Sequence, residues 1–91
     1  MARWLAEFLP EAGKDIASLE PKIRARIIEK LDWFSNNFDE AIPIPLVGEY
    51  RQFYKLRVGD WRVFYKTDYS KKVLVVCHIN HRSRVYKSKK R

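Results

Sequence analysis

Residues 49–86 read EYRQFYKLRVGDWRVFYKTDYSKKVLVVCHINHRSRVY, and the fold turns on how this stretch pairs with itself. Successive side chains of a strand point to opposite faces, so Arg51, Phe53, Lys55 and Arg57 share one face while Tyr50, Gln52, Tyr54 and Leu56 share the other. The alternation resumes at Trp61: Arg62, Phe64 and Lys66 fall on one side, Trp61, Val63 and Tyr65 on the other. Gly59 and Asp60 stand between the two runs. Glycine accepts the positive φ that the first central position of a type II′ turn needs, so the runs are expected to form a two-residue hairpin. That register sets Arg57 opposite Arg62, on the side that carries Lys55. Like charges facing one another across a sheet are destabilising, which suggests a face that expects an anion. The alternative is a solvated basic sheet surface.

Outward from the hairpin, residues 72–80 form the most continuously apolar run and are expected to be the central strand, reached through a turn at Tyr69-Ser70-Lys71. Upstream, residues 39–48 (DEAIPIPLVG) hold two prolines and a glycine and read as an extended connector with few ladder hydrogen bonds. Before it, Pro21 opens a helix in which Ile23, Ile27, Leu31 and Phe34 recur at steps of four and three, with Ile28 widening the stripe. Ser35-Asn36-Asn37 are poor helix formers and end it. Pro10 opens an earlier helix with Ala12, Ile16 and Leu19 as its apolar stripe and Glu11 at the positive end of its dipole. Residues 3–9 (RWLAEFL), with Trp4, Ala6 and Phe8 on one face, read as a strand that needs a sheet to join. The sum is an α+β domain: an N-terminal strand and two helices packed on one face of a small, mainly antiparallel sheet. The helices should cover the face of Tyr50, Tyr54, Trp61, Val63 and Tyr65, leaving Arg51, Lys55, Arg57 and Arg62 open.

Ninety-one residues suffice for a single core but not for two, so one domain is expected over residues 1–86, followed by a basic tail, 87–91. Residues 1–48 carry six Lys/Arg against eight Asp/Glu, a balance of −2. Residues 49–91 carry thirteen against three, a balance of +10. Such confinement of positive charge is the footprint of a polyanionic partner, nucleic acid or an acidic protein segment above all. A membrane surface fits less well, because the cations follow a strand period and not an amphipathic helix. No apolar stretch is long enough to span a bilayer, and the N-terminus carries no signal-peptide core, so a cytoplasmic location is the simplest expectation. The lone Cys77 lies in an apolar run, where a buried inert thiol is the plain reading. His78 in the same run reads as a core histidine. No Cys/His/Asp cluster accompanies His78 and His81, so neither a metal site nor a cofactor is expected.

The order of elements, together with two segments, resembles the RelE toxins of the RelE/ParE toxin–antitoxin superfamily. The segments are Leu56-Arg57-Val58-Gly59-Asp60-Trp61-Arg62-Val63-Phe64-Tyr65 and His81-Arg82-Ser83-Arg84-Val85-Tyr86, similar to the family's LRxGDYRVxY hairpin and its terminal HRxxVY. The resemblance covers residues 1–86. It implies an endoribonuclease that enters the ribosomal A site, cuts mRNA there without a metal, and is held inactive by a cognate antitoxin. By position Lys55, Arg62 and Tyr86 match catalytic residues of family members, and His81 and Arg82 lie in the motif that carries the others. Several members have a second lysine where this chain has Phe53.

The chemistry of these side chains suits that reading. RNA is cut without a metal when its 2′-OH attacks the adjacent phosphorus, which requires a proton acceptor, cations on the dianionic phosphorane and an acid for the leaving 5′-oxygen. Arg62 would stabilise the phosphorane, since a guanidinium stays charged and binds two oxygens. Lys55 is either a second cation or the base, and His81 either base or acid, because imidazole titrates near neutrality. Tyr86 would hold the leaving group or stack on a base. Arg51, Arg57, Arg82 and Arg84 would bind RNA phosphates, and Phe53 would stack on a base. Two other readings stand beside this one: a ParE-like toxin acting on DNA gyrase, against which His81 and Tyr86 argue, and a non-catalytic basic nucleic-acid-binding module.

Overall fold

The computed structural model describes residues 4–40, 44–45 and 53–83. The chain runs through β1 (Leu5–Phe8), α1 (Pro10–Ala17), α2 (Pro21–Asn36), a 3-10 turn (Phe38–Glu40), β2 (Ile44–Pro45), β3 (Tyr54–Val58), β4 (Trp61–Asp68) and β5 (Val73–His81). The strands form one mixed sheet in the order β1-β5-β4-β3-β2, with β1 parallel to β5 and the other pairs antiparallel. This is the expected α+β architecture, and β1 finds its sheet at the far edge beside β5. Proline opens both helices, where its missing N–H costs nothing.

The helices bury their stripes against one face of the sheet. Ala12, Ile27 and Leu31 meet Val58, Val63, Val76 and Ile79. A second cluster joins Trp4, Phe34, Phe38, Tyr65 and Leu74. The stripe is narrower than its sequence suggests, for Ile28 is 48 % exposed; Trp33, which lies off the stripe, is 57 % exposed. A helix lying on one side of a small sheet has a single surface to bury, and both residues point past it.

Three further readings need correction. The middle strand is β4, since the short β2 adds to β3 and moves the centre away from β5. β5 is nonetheless flanked on both sides, by β1 over Val73–Val76 only. Beyond that point α1 lies along its edge, and the Ile79 amide donates to the Asp15 carboxylate at 3.2 Å, which satisfies a donor that a strand edge would expose. The connector is not merely extended, for it holds the 3-10 turn, and Ile44 and Pro45 pair with Lys55 and Tyr54. His78 is not in the core: its side chain is 44 % exposed, with Nδ1 3.8 Å from the Glu11 carboxylate. The cause is a bulge. Phe64 pairs with His78 and Tyr65 with Val76, so Cys77 is the unopposed extra residue, and the face that His78 takes is that of Phe64, away from the helices. Cys77 itself is buried, and burial pushes its thiol up, as suits an inert cysteine.

The Tyr65 hydroxyl is buried, without a hydrogen-bond partner among the described residues, and its burial pushes the phenol well above its ordinary value. Tyr65→Phe is therefore expected to raise stability, by ~1 kcal/mol, because an unsatisfied buried hydroxyl costs about that much. Urea unfolding checks this: a lower midpoint than the parent's would mean that the hydroxyl has a partner.

Candidate functional site

The site grows from the β3–β4 hairpin. Gly59 takes φ +61°, and positive φ is found at no other turn residue of this hairpin, as a type II′ turn requires. The register is the expected one, with Val58 opposite Trp61, Arg57 opposite Arg62 and Lys55 opposite Phe64. Cross-strand partners share a face, so Lys55, Arg57 and Arg62 come together on the side away from the helices. On its other flank Arg62 faces Asn80 of β5. The end of β5 then folds onto the hairpin tip: the Arg82 amide donates to the Asp60 carbonyl at 2.8 Å, and the Arg82 guanidinium lies 3.9 Å from the Asp60 carboxylate.

These connections close a small cleft of about 180 Å³ lined by Lys55, Arg57, Gly59, Asp60, Arg62 and Arg82. Its four cations face one carboxylate, a formal balance of +3. Arg62 is the surprise. The open basic face was expected to expose it, yet it is only 6 % exposed, and its Nη1 turns back to donate to the carbonyls of Gly59 and Trp61, both at 3.1 Å. Among the described residues no carboxylate forms an ion pair with it. A buried guanidinium held by carbonyls, with cations as neighbours, is a fixed charge that an anion would stabilise.

The remaining candidates lie elsewhere. His81 pairs with Trp61 and so projects to the helix side of the sheet, its ring edge-on to the indole with centroids 5.2 Å apart. There it lines a separate pocket of about 360 Å³ with Glu20, Ile23, Arg26 and Trp61. Its Nδ1 accepts from the Ser83 amide at 3.3 Å and lies 3.0 Å from the Ser83 hydroxyl, an arrangement that puts the proton of the neutral ring on Nε2. Phe53 stays on the basic face, beneath the Lys66 ammonium at 5.0 Å and 6.4 Å from the His78 ring. Arg51, Arg84 and Tyr86 lie outside the described residues. Among those described, no three His, Cys, Asp or Glu side chains gather as a metal ion would need, and no helix is long and apolar enough to cross a membrane.

Sequence reasoning treated Asp60 only as a turn residue. Its part in closing the cleft follows from the β4–β5 register, which has no local signal.

A search of the curated proteins gives no match. The family model described as the ParE toxin of type II toxin–antitoxin systems, parDE, matches residues 6–86. Among solved structures, the isolated RelE toxin of Escherichia coli is 25 % identical, with a TM-score of 0.69 over 97 % of this chain and 95 % of that one. A chain of the RelBE2 toxin–antitoxin complex of Mycobacterium tuberculosis is 24 % identical, with a TM-score of 0.78 over 89 % and 100 %. One of the archaeal RelE–RelB complex from Pyrococcus horikoshii is 22 % identical, with a TM-score of 0.67 over 92 % and 99 %. With the family model spanning residues 6–86 and the fold of the RelE toxin matched over nearly the whole chain, the protein belongs to the RelE/ParE superfamily of type II toxin–antitoxin toxins, as a RelE-type member.

Proposed function

We propose that the protein is a ribosome-dependent endoribonuclease that cuts mRNA in its basic cleft and is restrained by a cognate antitoxin. One observation carries the reading: the buried Arg62 guanidinium in a cleft that Lys55, Arg57 and Arg82 also line. In the reaction the 2′-oxygen forms a bond to phosphorus, the P–O5′ bond breaks, and the products are a 2′,3′-cyclic phosphate and a 5′-hydroxyl. Arg62 holds the non-bridging oxygens as negative charge builds, and Arg82 and Arg57 add to the field. Lys55 adds a further cation or, in its unprotonated form, takes the 2′-hydroxyl proton, and Tyr86 remains the candidate at the leaving group. His81, placed across the sheet with Nδ1 engaged, acts as a positioning residue for the β5 end that presents Arg82. The antitoxin is supported by the RelE–RelB and RelBE2 complexes among the structural relatives.

Primer extension on an mRNA under translation tests the proposal: new 5′ ends within codons, bearing 5′-hydroxyls, are expected only when the protein is added. Products with 5′-phosphates would sink the mechanism. In the same assay Arg82→Ala should slow cleavage on the order of tenfold, about 1.4 kcal/mol for one charge-assisted contact. His81→Ala should do less, and its residual loss should be restored by a variant that still packs on Trp61, such as His81→Phe. Were His81→Phe as impaired as Arg82→Ala, the imidazole itself would be handling a proton.

The family model's description as a ParE toxin favours a second reading, action on DNA gyrase. A supercoiling assay separates the two, since cleavage in the cleft predicts no inhibition of gyrase.

A further inference from the structure

Trp33 is 57 % exposed on α2, while its neighbour Phe34 is buried in the core. An exposed indole next to a buried phenyl is a side chain the fold does not use. The Lys30 ammonium sits over its ring, 5.1 Å from the centroid. With Arg26, Glu29, Arg57, Val58 and Gly59, these two residues line a groove of about 510 Å³ between α2 and the end of β3. Three cations face the single Glu29 carboxylate there. Arg57 and Gly59 also line the basic cleft, so the groove and the cleft meet around the hairpin tip.

We propose that this groove is a second RNA subsite, in which Trp33 stacks on a base of the strand held in the cleft while Arg26 and Lys30 neutralise its phosphates. The inference rests on the RNA reading of the cleft. Aromatic faces flanked by cations hold single-stranded nucleic acid without sequence preference, because every base offers a π-face and every linkage a charge. A protein segment would ask for a broader apolar floor than one indole and the nearly buried Val58, ringed by charged side chains. Arg57, shared by both concavities, would contact the phosphate between them.

The test uses 2′-O-methyl RNA, which cannot be cut because its attacking hydroxyl is blocked. Binding of a tetranucleotide and of a dodecanucleotide is followed by fluorescence anisotropy at low salt. The longer RNA should bind the parent on the order of tenfold more tightly, the worth of about one stacked base. Trp33→Ala should erase that gain and leave tetranucleotide binding unchanged, whereas Trp33→Phe should keep most of it. As an exposed position, it should tolerate both changes without a shift in unfolding midpoint. A length gain that survives Trp33→Ala, or no gain in the parent, overturns the subsite while the cleft reading stands. Failure of the parent to bind either RNA overturns the subsite, and the cleft reading is then decided by primer extension on the translated mRNA. If Trp33→Ala weakens the complex with the antitoxin and spares the length gain, the groove is a protein contact and the proposal is overturned.

Discussion

Arg62→Ala is expected to lower mRNA cleavage by on the order of a hundredfold or more, the usual cost of removing one fixed donor to a developing oxyanion. The basis is geometric. Carbonyls of Gly59 and Trp61 hold the guanidinium in place before any substrate arrives, so its charge costs little reorganisation when the phosphorane forms. Stability should hardly suffer, because the two lost hydrogen bonds are offset by relief of repulsion from Lys55, Arg57 and Arg82 in the same cleft. Activity lost with the unfolding free energy held within about 1 kcal/mol of the parent is thus the signature of a charge placed for function. Arg62→Lys should recover only part of the rate, since an ammonium cannot grip two oxygens in a plane. Growth arrest in cells lacking the antitoxin, at matched expression, gives the decisive comparison. An Arg62→Ala protein as toxic and as cleavage-competent as the parent would place the chemistry elsewhere.

Trp4→Ala is expected to have the largest effect on stability, a loss of ~3–5 kcal/mol. Trp4 is buried; its ring packs on Phe38 at 4.7 Å and edge-on to Tyr69 at 5.2 Å, and its Nε1 donates to the Asp39 carboxylate at 3.0 Å. One side chain therefore ties the start of β1 to the 3-10 turn and to the β4–β5 turn. Against a typical total of ~5–15 kcal/mol, such a loss leaves a domain of this size barely folded. Trp4→Phe keeps the packing and loses the hydrogen bond, so its cost should be nearer 1–2 kcal/mol. Urea unfolding of both variants measures the difference. Toxicity should fall with the folded fraction, unlike the Arg62 variant, in which folding and activity separate.

How far the sequence alone determines this protein can be read from its particular elements. Period-2 alternation from Tyr54 to Val58 and from Trp61 onward, broken by Gly-Asp, determined the hairpin, its register and the facing of Arg57 and Arg62. Pro10, Pro21 and the Ser-Asn-Asn run determined where the helices begin and where α2 ends. These are short-range signals, written within a few residues of the structure they specify. Long-range pairing decided the rest. The parallel partnership of β1 with β5 and the placing of β4 at the middle of the sheet depend on which edges remain free once the meander forms. The Cys77 bulge turned His78 out of the core, although nothing in an apolar run announces an extra residue. Most consequential is the division of the terminal motif: His81 and Arg82 are adjacent in the chain, yet His81 ends on the helix side with Trp61 while Arg82 enters the cleft beside Asp60. Alternation makes neighbours in a strand point to opposite faces, and only the β4–β5 register determines which of the two meets Arg62.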